Sequence, residues 1–252
     1  MQIPRVIPCL LLRNRGLVKT VQFRKETYIG DPINAVRIYN EMEADELILL
    51  DIDASRLSSD LDWETLQEVA NEAFMPVCYG GGIRTLEQAE KLFRIGVEKV
   101  SLSTASMNNP EIIRQLADQY GSQSVVATID VLQTAKGPMV MTHGGTCPTG
   151  LKVEEAIQRA ADNGAGEIMV NSIDRDGTMK GYDLQLLKMV TNTINLPVIA
   201  CGGCGSLNHM REAAEQTGVT GLAAGSLFVY WGRIKGILIN YPRRQNLKDI
   251  FK

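Results

Sequence analysis

Two glycine-rich turns carry the chemistry most open to reading in this chain. Gly80-Gly81-Gly82 is followed by Ser103-Thr104, and Gly202-Gly203 is followed by Gly225-Ser226. Glycines let backbone N–H groups approach an anion, a following helix N-terminus adds positive partial charge, and hydroxyls supply further donors. Asp174-Arg175-Asp176-Gly177-Thr178 is another turn that exposes amides beside the second cluster. Such glycines also serve close packing of strand on helix. Two equivalent clusters favour the anion reading and call for a long ligand with a phosphate at each end. Arg5, Glu46, Lys99 and Glu167 stand at or near the N-terminal ends of four apolar runs. Two cations and two anions suffice for a closed ring, and taken alone they read as a plain salt-bridge plug. Cys201-x-x-Cys204 has redox or zinc-type spacing, but it encloses a tight turn, lacks a second cysteine pair and has only His143 and His209 for company. Small core residues flanking a turn are the better reading.

The elements that must position these groups come in a duplicated set. Pro76 recurs as Pro197, Gly82 as Gly203 and Glu46 as Glu167, each 121 residues on, while Gly96-Val97 recurs as Gly218-Val219. A repeat this long is half a domain rather than a solenoid unit. Eight apolar runs read as strands: 5–12, 46–52, 77–80, 99–103, 124–130, 167–172, 198–201 and 221–224. Helical runs follow them at 32–42, 63–73, 86–95, 110–120, 152–163, 183–193, 207–217 and about 233–240. Near-continuous apolar strands alternating with helices mean a parallel sheet buried on both faces. Eight units with half-to-half symmetry predict a single (β/α)8 TIM barrel over residues 1–252, built from two half-barrels. Insertions at 19–30 and 131–150 follow strand C-terminal ends, where this fold keeps its chemistry. The second holds Gly137-Pro138 between extended runs and reads as a hairpin. A net charge of −3 gives no field that recruits nucleic acid. The absence of a long apolar run and of a signal-peptide pattern, with five cysteines largely in apolar runs, predicts a reduced cytoplasmic protein away from the membrane.

As a set, several motifs resemble the cyclase subunit of imidazole glycerol phosphate synthase, over nearly the whole chain. They include Val18-Lys19…Phe23, Gly30-Asp31-Pro32, Asp45-Glu46-Leu47…Asp51-Ile52, Gly80-Gly81-Gly82-Ile83, Asp130 and Thr149-Gly150. Gly164-Ala165-Gly166-Glu167-Ile168, Ser172-Ile173-Asp174-Arg175-Asp176-Gly177-Thr178 and Gly181-Tyr182-Asp183 complete them. The resemblance implies a glutaminase partner on the N-terminal (bottom) face, no cofactor and no metal. It implies that ammonia joins a bisphosphorylated ribulosyl-formimino-aminoimidazole ribonucleotide, giving imidazole glycerol phosphate and an aminoimidazole carboxamide ribonucleotide. Gly82, Ser103 and Thr104 would hold one phosphate, and Gly177, Gly203 and Ser226 the other, with Lys19, Asp51 and Asp176 also contacting substrate. Arg5, Glu46, Lys99 and Glu167 match the family's ammonia gate, and Cys78, Ser101 and Thr128 are small candidates for the path above it.

The family carries two carboxylates facing each other across the mouth. Asp130 supplies the one on strand five, but Leu11 stands where strand one carries aspartate. Leucine neither accepts nor donates a proton, and losing a positioned acid or base costs about 10²- to 10⁴-fold in rate. Asp51, Asp53 and Asp176 are nearby substitutes on other strands or loops; Asn171, Gly144 and Cys201 depart from the family's usual Thr, Ser and Ser. Three readings stay open. One is an enzyme that cyclises; another is an ammonia-conducting scaffold in amidino-sugar (surface polysaccharide) synthesis beside an ATP-dependent amidotransferase. The third, the sister isomerase of histidine synthesis, fits the bottom ring less well.

Overall fold

A computed structural model describes residues 3–54, 60–232 and 234–252. Eight parallel strands close on themselves: β1 (Arg5–Arg13), β2 (Leu47–Asp51), β3 (Val77–Gly80), β4 (Lys99–Leu102), β5 (Val125–Thr134), β6 (Glu167–Ser172), β7 (Val198–Cys201) and β8 (Gly221–Ala224). Across the half-barrel seam Arg5 of β1 pairs with Gly221 of β8; within the halves Leu11 pairs with Leu50 of β2, and Glu167 of β6 with Val126 of β5. Parallel neighbours need crossover connections, and helices such as Pro32–Glu41, Trp63–Glu72 and Leu86–Arg94 supply them. The (β/α)8 barrel read from the sequence is the observed architecture.

Alternation along the strands sorts side chains into two cores. Val6, Leu10 and Leu12 pack outward against the helices, whereas Ile7 and Cys9 join Ile48, Cys78, Val126, Met169, Ile199, Cys201 and Ala223 inside the barrel. Burial on both faces is why these strands lack a polar face. Helix starts follow local capping chemistry. Asp31 accepts the Asn34 N–H with Pro32 in the first turn, and Thr85 forms a reciprocal capping box with Gln88.

Several expectations change. The run at 233–240 is not a helix: among its described residues, Gly236–Ile237 pairs with Tyr230–Trp231 in a small hairpin, and Arg233 lies outside the described residues. Gly232 and Gly236 sit one helical turn apart, an unfavourable pair in a helix. The terminal helix is Arg244–Ile250 instead. Strand β5 does not stop at Asp130 but runs on to Thr134 and folds back on Gly137–Thr142; Thr134 pairs with Gly137, so residues 135–136 turn the hairpin and Pro138 lies in the returning strand. Likewise β1 passes Leu11 to Arg13, held by an antiparallel hairpin of Gly16–Val21 and Arg24–Gly30. Both insertions thus extend barrel strands beyond the mouth and wall it.

Candidate active site

A cavity of about 410 Å3 opens at the C-terminal end of the strands. Lys19, Asp51, Gly82, Ser103, Thr104, Asp130, Asp176, Gly177, Gly203 and Ser226 all line it. The turns after β3 and β4 stand four strands from those after β7 and β8, so the two glycine clusters face each other across the mouth. Ser103 and Gly225 each precede a short helix, Thr104–Asn108 and Ser226–Val229. The Thr104 hydroxyl oxygen accepts the His143 N–H at 3.0 Å, which leaves its own hydrogen free for a ligand. Packing accounts for the glycines as such: a Cβ at Gly177 would collide with the Thr20 carbonyl, and one at Gly203 with that of Gly181. Their positive φ, 69° and 102°, adds to the restriction. The anion reading therefore stands on the converging donors, not on glycine content. At Gly225 the missing side chain admits the buried Lys19, whose Nζ lies where a Cβ would go.

Asp130 is the buried carboxyl of the mouth. Its Oδ2 accepts from Ser103 Oγ at 2.9 Å and its Oδ1 from Asn171 Nδ2 at 3.3 Å. Burial pushes its pKa up to about 6, against the lowering effect of those two hydrogen bonds. On the facing wall Leu11 and Leu50 line the cavity side by side, so that wall is apolar. The three substitute acids are otherwise engaged. Asp51 Oδ1 accepts the N–H groups of Asp53 and Ala54, and burial raises its pKa. Asp176 accepts the Thr20 hydroxyl at 2.9 Å. Asp53 does not line the cavity at all; its carboxylate meets Arg13 Nε at 2.9 Å on the rim. Cys201 and Cys204, for all their spacing, join different cores: Cys201 packs with Cys9 inside the barrel, and Cys204 donates to the Ser206 carbonyl outside it. Among the described residues no group of three potential ligands could hold a metal ion.

The ring at the opposite end is closed. Arg5 reaches both Glu46 and Glu167, and Lys99 Nζ meets Glu46 at 3.0 Å and Glu167 at 3.2 Å. Burial alone would lower the pKa of both cations, but the two carboxylates outweigh it and hold each above its ordinary value. The cavity descends as far as Ser101 and Thr128, whose hydroxyls share a 2.5 Å hydrogen bond. Cys78 lies below that level, fully buried beside Ile7, Ile48, Val126, Met169 and Ile199, so packed side chains separate cavity and ring. Sequence reasoning left Thr20 out of the site and did not show which of the site residues meet across the fold. Thr20 and Asp176 are 156 positions apart, Asn171 and Asp130 are 41 apart, and no local pattern marks either pair.

A family model described as histidine biosynthesis protein matches residues 5–235. A Pseudomonas aeruginosa protein provisionally named imidazole glycerol phosphate synthase subunit hisF2 is 53% identical over 239 residues, covering 94% of this chain and 95% of its own length. A Leptospira interrogans protein provisionally named subunit HisF is 47% identical over 98% of both chains. The Streptomyces coelicolor imidazole glycerol phosphate synthase subunit HisF is 42% identical over 89% of both. Among the described residues no helix is long and apolar enough to cross a membrane. With the barrel, the motifs and these near full-length matches in agreement, the chain belongs to the HisF family of imidazole glycerol phosphate synthase subunits.

Proposed function

We propose that this chain is the cyclase-type subunit of a glutamine-dependent synthase, working as one domain in the cytoplasm. A glutaminase partner docks beneath the barrel and releases ammonia. The ammonia joins a bisphosphorylated ribulosyl-formimino-aminoimidazole ribonucleotide held across the mouth, and cyclisation with cleavage yields imidazole glycerol phosphate and the aminoimidazole carboxamide ribonucleotide. The observation that carries this reading is the pairing of two donor clusters on opposite sides of one cavity, with a buried carboxyl between them. Gly82, Ser103 and Thr104 take one phosphate; Gly177, Gly203 and Ser226 take the other. Lys19 adds a cation, and Asp51 and Asp176 shape the contacts to the ligand. Asp130, with a pKa of about 6, gives and takes protons near neutrality.

The Arg5–Glu46–Lys99–Glu167 ring serves as the gate. Neutral ammonia tolerates an apolar lining better than ammonium does. Since the axis above the ring is packed, passage needs the ring to open and side chains such as Met169 to shift. Docking from below is supported by Phe74, which is 86% exposed in the loop that enters β3.

A second reading is favoured by Leu11 alone. With no acid on that wall the barrel hands ammonia on, as scaffold and conduit, to an ATP-dependent amidotransferase that makes an amidino sugar. Supplying purified protein with an ammonium salt and the ribulosyl-formimino substrate separates the two: formation of both products supports the first, and inertness that Leu11→Asp does not relieve supports the second.

A further inference from the structure

Half of the Asn171 side chain is committed and half is not. Its Nδ2 donates to Asp130 Oδ1 at 3.3 Å, whereas its Oδ1 is buried without a hydrogen-bond partner. Asn171 is 6% exposed, lies between Asp130 and Cys201 in the strand register, and lines the cavity. The Gly202 backbone passes close to this oxygen: a Cβ there would stand 3.1 Å from it. Leaving a buried carbonyl oxygen unpaired is costly, and such groups in native proteins are usually paired by protein, by ordered water or by a bound group. The orientation of the amide follows from its neighbour: turned the other way, Oδ1 would face an ionised carboxylate, acceptor against acceptor.

We propose that Asn171 orients the ligand in this mouth, taking an N–H of the ligand on Oδ1 while its Nδ2 holds Asp130 in place. The donor is an N–H of the ligand, such as that of an amine or a primary amide. That the nitrogen is ammonia or the carboxamide of a ribonucleotide rests on the proposed reaction; the unpaired acceptor does not. Asn171 also decides where a proton sits on Asp130. Its NH2 can only donate, while the Ser103 hydroxyl can reverse and accept, so the proton goes to Oδ2 on the Ser103 side.

Two measurements test this on the full chain. Carbon-13 NMR of aspartate-labelled protein, with Asp130 assigned through Asp130→Asn, follows its carboxyl titration without substrate. Asn171→Leu removes a donor that favours the ionised form, so the midpoint moves upward, and Asn171→Thr, which restores a hydroxyl, moves it less. A midpoint unchanged in folded Asn171→Leu overturns the positioning role. Calorimetric titration then compares aminoimidazole carboxamide ribonucleotide with inorganic phosphate. Asn171→Leu weakens the nucleotide roughly 2- to 10-fold and leaves phosphate unchanged. Equal nucleotide affinity in the two proteins overturns the ligand contact. If the wild type binds phosphate but not the nucleotide, the ribonucleotide reading of the site fails, and the Asp130 midpoint alone then upholds or overturns the role of Asn171.

Discussion

Asp130 and Leu11 face each other from β5 and β1, and in the proposed function this pair sets the proton chemistry. Leu11→Asp restores a second carboxyl to the apolar wall, and ammonium-dependent cyclisation rises by about 10²- to 10⁴-fold in steady-state assays if the remaining site is competent. Asp130→Asn removes the proton carrier and lowers the same rate by a similar factor. It also changes stability, with a sign that can be worked out. The folded-state pKa of Asp130 is raised to about 6 from an ordinary carboxylate value of 3.8, so the native state binds the extra proton between those values. Stability from this group is therefore lost as pH rises through that window, and the full penalty applies at pH 7. Asp130→Asn should be more stable than wild type at pH 7, by on the order of 1–3 kcal/mol in denaturant titrations, and show no such gain at pH 3. At this scale the sequence names the acid and its missing counterpart. It does not show that burial retunes the acid, because burial depends on what the other strands bring.

At the scale of elements, the floor ring joins β1, β4 and β6 to the residue before β2. Lys99→Met leaves Glu46 and Glu167, 3% and 7% exposed at the side chain, with one cation instead of two. Lys99 itself keeps 19% of its side chain in solvent, so the loss is smaller than for a fully buried pair: roughly 1–3 kcal/mol, or about 2–10 °C in Tm. The pKa of Lys99 is raised in the fold, where burial lowers it but the two carboxylates raise it more. Its contribution is thus whole below the ordinary lysine pKa of about 10.4 and fades as pH climbs through the higher folded value. The Tm gap between wild type and Lys99→Met should narrow only in that alkaline range. The ring is legible in the sequence because each member opens a strand or immediately precedes one. The two walls of the mouth are less so. Asp130 and Leu11 mark strand ends by hydrophobicity, yet antiparallel pairing with the inserted hairpins carries both strands onward.

For the whole molecule, the proposed function turns on what meets each end of the barrel. If a glutaminase docks on the floor as proposed, Phe74→Asp places a charge in its path, the partner is lost in co-purification and glutamine-dependent turnover falls by 10-fold or more, while ammonium-dependent turnover stays near wild type. Equal falls in both would place Phe74 in the fold rather than in docking. The eight-strand barrel, its half-to-half repeat, the two donor clusters and the floor ring follow from the order of residues alone, because strand alternation, glycine turns and capping chemistry act over a few positions. The hairpin in place of a last helix, the packed axis between ring and cavity, and the unpaired acceptor on Asn171 were settled only by tertiary structure. Each depends on which side chains from distant strands fill the same space, and closing the barrel is what brings them together.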